Sequence, residues 1–440
     1  MTPSFHGLAN KPPVKQQHQA IQNPPLSAGN ASANSTNPME ALGSCLNEDV
    51  LREIFIRCVS DHGNDSKYFT LDNSKPSIHN YPQFSVSRVC SSWRHAALLT
   101  PLLWNNVMIQ YLTESNLSIA RKYLLHARNL PISIILGPVI TVQDWHSQLT
   151  DFLSSYRLRH LMVRAVIPRF HAVLHDLPRR SVEDLELLEM FYNHDPEEAT
   201  IDLNDIRYPK LASVDISGAY KISGCGSSLR VFDGTGLLMT VIESWDLLSR
   251  CPSLEEAQIR MMPDDVSLKQ LPEPRIHHQC LRTLILESKS GAEIPFSIFI
   301  AALALPSLEK MHVSNARVAW SATAFQSLAQ RSNHFPNLSD FLLSSATSDV
   351  DAGTLLASMP HVTRVYLMCH PFKAVFDQRA LNGLASGSLA PRLQYLMGSI
   401  SNGKEFMDMV SRMRNAQMSS NGVPAPFTKV AAGNYCYDIE

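Results

Sequence analysis

Residues 251–313 read CPSLEEAQIRMMPDDVSLKQLPEPRIHHQCLRTLILESKSGAEIPFSIFIAALALPSLEKMHV. One six-residue phrase occurs in them three times, as LEEAQI at 254, LRTLIL at 281 and LEKMHV at 308. Its apolar residues stand at the first, fourth and sixth places, and the last two share one face of an extended strand. Read outward, the same L-x-x-L-x-L phrase also begins at Leu158, Val182, Leu211, Leu229, Leu338, Val362 and Leu393. Those ten starts are spaced about 26 residues apart on average, a self-similarity that marks stacked units.

Proline supplies an independent register. Pro209, Pro252, Pro306, Pro336, Pro360 and Pro391 each stand two residues before a start. With 27 prolines in 440 residues, about 0.6 would fall there by chance. Proline ends a preceding helix and biases its neighbour towards an extended conformation. Apolar helical stretches do precede several of them, as in VIESWDLLSRCP (241–252), PFSIFIAALALP (295–306) and AGTLLASMP (352–360). The unit is therefore strand, turn, helix, proline, next strand.

The spacing resembles that of leucine-rich repeats, whose period is about 20–29 residues. The Asn that many such repeats carry after the last apolar position is replaced here, by Lys289, Ala316 and Ala346. The resemblance implies an irregular leucine-rich-repeat solenoid over 111–415. Its curved parallel sheet would be about 45 Å long at the usual strand spacing. Residues 211–216, 254–259, 281–286, 308–313, 338–343 and 362–367 are expected as neighbouring parallel strands. The fold class expected for the whole chain is α/β.

Composition bounds the function. The chain has 38 Lys+Arg against 40 Asp+Glu, a net charge of −2, and only 18% charged residues. Near-neutrality excludes the broad basic footprint of a general nucleic-acid binder. No apolar run reaches 18 residues, so no membrane span is expected. The first residues lack the apolar core of a secretory signal. Eight cysteines without a CxxC pair read as thiols in a reducing compartment, which makes cytoplasm or nucleus the expected location.

Residues 1–40, rich in Pro, Asn, Ser and Gln, are expected to be a disordered arm. LNEDVLREIFIRCV (46–59) has an amphipathic helical pattern, with Leu46, Val50, Leu51, Ile54, Phe55 and Cys58 on one face. Residues 60–82 read as a polar loop insert. FSVSRVCSSWRHAALLTPLLW (84–104) reads as two further short helices. Residues 416–440 are expected to be a flexible tail.

The block 46–104 resembles the F-box, in the diverged F-box-like form found in large fungal families. The pattern L-P-x-E-[VI]-L-x-x-I-F appears as Leu46-Asn47-Glu48-Asp49-Val50-Leu51-Arg52-Glu53-Ile54-Phe55. The second half, V-C-x-x-W-R-x-x-A then P-x-L-W, appears as Val89–Ala97 and Pro101–Trp104. Asn47 replaces the usual Pro and Asp49 the usual Glu; Asn47 can still cap a helix. The resemblance implies a small three-helix all-α domain over 41–110 that docks a Skp-type adaptor and, through it, a cullin. By position, the implied contacts are Leu46, Val50, Leu51, Ile54, Val89, Cys90 and Trp93. The repeats would then bind a protein target, on the concave strand face and its adjoining loops. The alternative is that the same residues simply pack against the first repeats.

Catalytic and cofactor motifs are weak. Gly398-Ser-Ile-Ser-Asn-Gly403-Lys404-Glu405 fits the start of a phosphate-binding loop, but Glu405 stands where the metal-binding Ser or Thr belongs. His171 and His175 are four apart without a third ligand in view. Gly224, Gly226, Gly234 and Gly236 read as turn glycines, and Cys58 and Cys90 as core thiols. The sequence points to no cofactor, no metal and no enzyme.

Overall fold

The structure of the protein, a computed structural model, describes residues 47–60, 68–71, 81–139, 144–164, 167, 169–191, 199–218, 220–262, 276–288, 293–314, 317–369, 372–419, 429–432 and 435–438. The expected arm at 1–40 and Leu46 lie outside these.

The described residues form a parallel-sheet and helix solenoid built on one 15-stranded sheet. Its strands follow chain order: β1 (Phe69–Leu71), β2 (Asn106–Ile109), β3 (Ile132–Leu136), β4 (Leu158–Val163), β5 (Leu187–Met190), β6 (Ser213–Ser217), β7 (Val231–Met239) and β8 (Glu256–Met261). They continue as β9 (Thr283–Ser288), β10 (Lys310–Ser314), β11 (Asp340–Ser344), β12 (Arg364–Met368), β13 (Tyr395–Gly398), β14 (Lys429–Ala432) and β15 (Tyr435–Asp438). Every neighbouring pair is parallel except β14 with β15.

The six segments expected as neighbouring parallel strands do lie in this sheet, with β7 between the first two. Each strand starts two residues later than the phrase does. The reason is a turn repeated at almost every start. The N–H groups of Leu211, Leu254, Leu308, Leu338, Val362 and Leu393 each donate to the carbonyl three residues back, at 3.0–3.3 Å. Proline therefore occupies the second position of a four-residue β-turn, where its fixed φ fits. The opening Leu plugs the core from the turn, and the strand follows.

Three expectations about repeat boundaries are corrected. Val182 lies in the short helix Arg179–Val182, and the pairing of β5 with β6 puts the repeat start at Leu185. Leu185 makes the same turn bond, to Val182. The sheet also extends past both ends of the expected array. Residues 60–82, read as a loop, contain β1, and the tail contains β14 and β15. The phrase is incomplete at both ends: in register, Ser66 holds its first place before β1 and Ala432 its sixth place in β14.

One in-register column of the core lines the helix side of the sheet. It runs from Phe69 and Val107 through Val214, Leu284 and Phe341 to Leu396 and Val430, all buried. Helices lie between strands, and side chains cap several of them. Thr113, Thr240, Ser321, Asp351 and Asp377 each accept a hydrogen bond from the N–H three residues on. Thr240 and Glu243 form a reciprocal capping box. Gly234 and Gly236 lie not in a turn but inside β7, where the register shifts. A Cβ on Gly236 would stand 1.9 Å from Ser217 Cβ, so the close approach of the strands requires glycine.

From β6 to β13 buried residues largely alternate with half-buried or exposed ones, which leaves one face without helices. β3 is buried throughout. Among the described residues, no helix is long and apolar enough to cross a membrane.

Candidate interaction surfaces

The first helix, α1 (Glu48–Ser60), begins at Asn47, whose side-chain oxygen accepts from Asp49 N at 3.1 Å. Glu48 and Asp49 place negative charge on its first turn. The apolar face read from the sequence splits in two. Leu51, Phe55 and Val59 are buried, whereas Val50 and Ile54 are 46% and 37% exposed. The buried stripe meets α2 (Pro82–Val86) and α3 (Ser91–Leu98). Phe55 packs on Trp93 with ring centroids 5.2 Å apart.

This helical unit continues into the solenoid through an aromatic cluster. Phe84 lies against Phe69, Trp104 and Tyr123, at 5.0–6.0 Å between centroids. Trp104 stacks on Tyr123 and donates its indole N–H to Ala97 O at 2.9 Å. Of the seven residues implied as adaptor contacts, Val50, Ile54 and Val89 stand out in solvent, Val89 at 50%. Leu51 points into the core. Cys90 and Trp93 are half-buried. Cys90 is less a core thiol than a helix cap, because its Sγ accepts from Trp93 N at 3.5 Å. Cys58 is likewise half-buried. Leu102 adds a fourth exposed apolar side chain to the unit.

The helix-free face of the sheet is the second surface. Its middle row runs in register through Glu189, Asp215, Asp233, Gln258, Ile285, His312, Leu342, Tyr366 and Met397. Three carboxylates are thus direct neighbours at one end, an arrangement that costs stability. Burial, then Asp233 and Glu189, raise the Asp215 carboxyl to about 6. At the other end the row is apolar, with Tyr366 and Tyr395 rings 5.0 Å apart. Between them Asp340 accepts from His312 at 3.0 Å and pairs with Arg364 at 2.9 Å. Burial opposes ionisation of Asp340, but the His312 contact and the nearby cations hold its carboxyl below the ordinary range. The strand alternation foretold such a row but not its composition.

The catalytic look-alikes make ordinary sheet and side-chain contacts. Gly398 pairs with Leu367 in the sheet. The Ser399 and Ser401 N–H groups, which a phosphate loop would aim at its ligand, donate to Leu367 and Ala374 carbonyls. His171 packs on Tyr220, and exposed His175 contacts Asp176. Among the described residues, no group of three His, Cys, Asp or Glu side chains is placed to hold a metal ion.

No protein-family model matches the sequence, and no curated protein is detectably similar to it.

Proposed function

We propose that the protein is a substrate-recognition adaptor of an SCF-type cullin–RING ubiquitin ligase, in which residues 46–104 act as a diverged F-box and the solenoid binds a protein target. The observation that carries this reading is the outward stripe on the first helical unit. Val50, Ile54 and Val89 are exposed although the same short unit turns Leu51 and Phe55 inward. A surface of this kind fits a partner that lays helices on an apolar groove.

A second reading, a protein-interaction scaffold whose first helices only cap the array, draws on the aromatic cluster that joins Phe84 and Trp104 to Tyr123. Co-purification separates the two. The full chain should form a stoichiometric complex with a recombinant Skp-type adaptor. Val50→Asp with Ile54→Asp should weaken it at least tenfold while the free chain keeps its helical circular-dichroism spectrum and cooperative melting, since Leu51 and Phe55, not these two, fill the core. No complex with the wild-type chain, or one indifferent to both substitutions, refutes the adaptor reading.

A further inference from the structure

Three successive repeats turn at the same end of the array, and each brings an arginine there. Arg128 ends the short 3-10 turn after helix Glu114–Leu124, Arg157 precedes β4, and Arg180 lies in the helix before β5. With Leu130, Ser155 and Tyr156 among its other walls, the three line a surface pocket of about 370 Å³. Asp184 accepts from both Arg157 and Lys210, the latter at 2.7 Å. Arg128 and Arg180 have no carboxylate partner among the described residues. Positive charge therefore exceeds negative in this corner of a molecule whose net charge is −2.

The backbone at Arg128 adds an independent observation. Its φ of 55° is paired with ψ −125°, a combination natural to glycine. Asp144 and Arg169 also have positive φ, but with ψ 37° and 30° they sit in the ordinary left-handed well. Keeping a long cationic side chain where glycine would be at ease points to a use for that side chain. Guanidinium groups match phosphoryl oxygens through paired N–H donors, more specifically than ammonium groups do. Tyr156 adds a hydroxyl donor; burial, partly offset by Arg121, raises its pKa and keeps it protonated. Leu125, 73% exposed on the same turn, offers an apolar contact for a residue beside the phosphate.

We propose that this pocket receives a single phosphorylated serine or threonine side chain of a partner protein. A polynucleotide would need a row of cations along its backbone, and this site is one isolated pocket. The assignment does not depend on whether the first helices dock a ligase.

The test uses the full chain and immobilised degenerate peptides with a central phosphoserine or phosphothreonine. The controls are the same peptides dephosphorylated, the same peptides with Glu at that place, and oligouridylate RNA. The phosphorylated peptides should retain at least tenfold more protein than any control. Arg128→Gly with Arg180→Ala should abolish the difference, while Arg128→Gly alone leaves Tm unchanged or raises it. Equal retention on the dephosphorylated peptides, stronger retention on RNA, or undiminished retention of the double variant would overturn the proposal.

Discussion

Replacing Asp215 by Asn should stabilise the protein at neutral pH. Asp215 lies between Glu189 and Asp233 in register on the helix-free face, and its carboxyl titrates near 6 instead of 3.8 because of partial burial first and those two neighbours next. A raised carboxylate contributes its full stability below the unfolded value of 3.8 and loses it as pH rises through about 6. The unscreened shift corresponds to about 3 kcal/mol at 1.36 kcal/mol per unit. Because the group is half-open to water, screening reduces this to roughly 1–1.5 kcal/mol. For a chain of this size that is a rise in Tm of about 1–2 °C at pH 7. Calorimetric melting of both proteins between pH 3.5 and 8 tests it. The gain should grow between pH 4 and 6.5 and vanish below pH 4. A variant that is less stable at pH 7, or whose difference ignores pH, would show that Asp215 is favourably partnered and that the acidic row is no burden.

Other substitutions probe the rest of the architecture. Phe341→Ala removes a fully buried ring from the core column and should cost roughly 3–5 kcal/mol in urea unfolding. Thr240→Ala removes the capping box of helix Val241–Arg250 and should cost about 1 kcal/mol, with faster amide exchange at that helix's first turn. Burial works against ionised Asp184, but its hydrogen bonds to Lys210 and Arg157 hold the carboxyl below the ordinary range. Its stabilisation is therefore present above about pH 4 and lost in stronger acid. Asp184→Asn should cost roughly 1–2 kcal/mol at pH 7 and progressively less as the pH falls below about 4, read by thermal melting.

The array was legible in the sequence because its two signals are local. Leu254, Leu281 and Leu308 announce the repeat, and Pro252 and Pro306 announce the turn that precedes it. Val182 misled because it also completes the phrase, and only the pairing of Leu187 with Ser213 selects Leu185. The short interval from Leu211 to Leu229 has a structural cause. Among the described residues no helix separates β6 from β7, and the strand Tyr220–Ser223 pairs back with Ala199–Asp202 instead. On α1 the apolar pattern could not say which stripe turns inward, because the contacts that decide it, such as Phe55 on Trp93, come from α2 and α3 further along the chain. The arginine pocket and the acidic row were invisible for the same reason. Each exists only once residues about one repeat apart are stacked side by side.

The proposed role of the first helical unit is that of a docking surface and not merely a cap. Hydrogen–deuterium exchange of the full chain, with and without a Skp-type adaptor, tests it most directly. Adaptor-dependent protection is expected within 48–60 and 81–98, with β6 to β13 unchanged. Protection confined to the solenoid strands, or none anywhere at saturating adaptor, would contradict it.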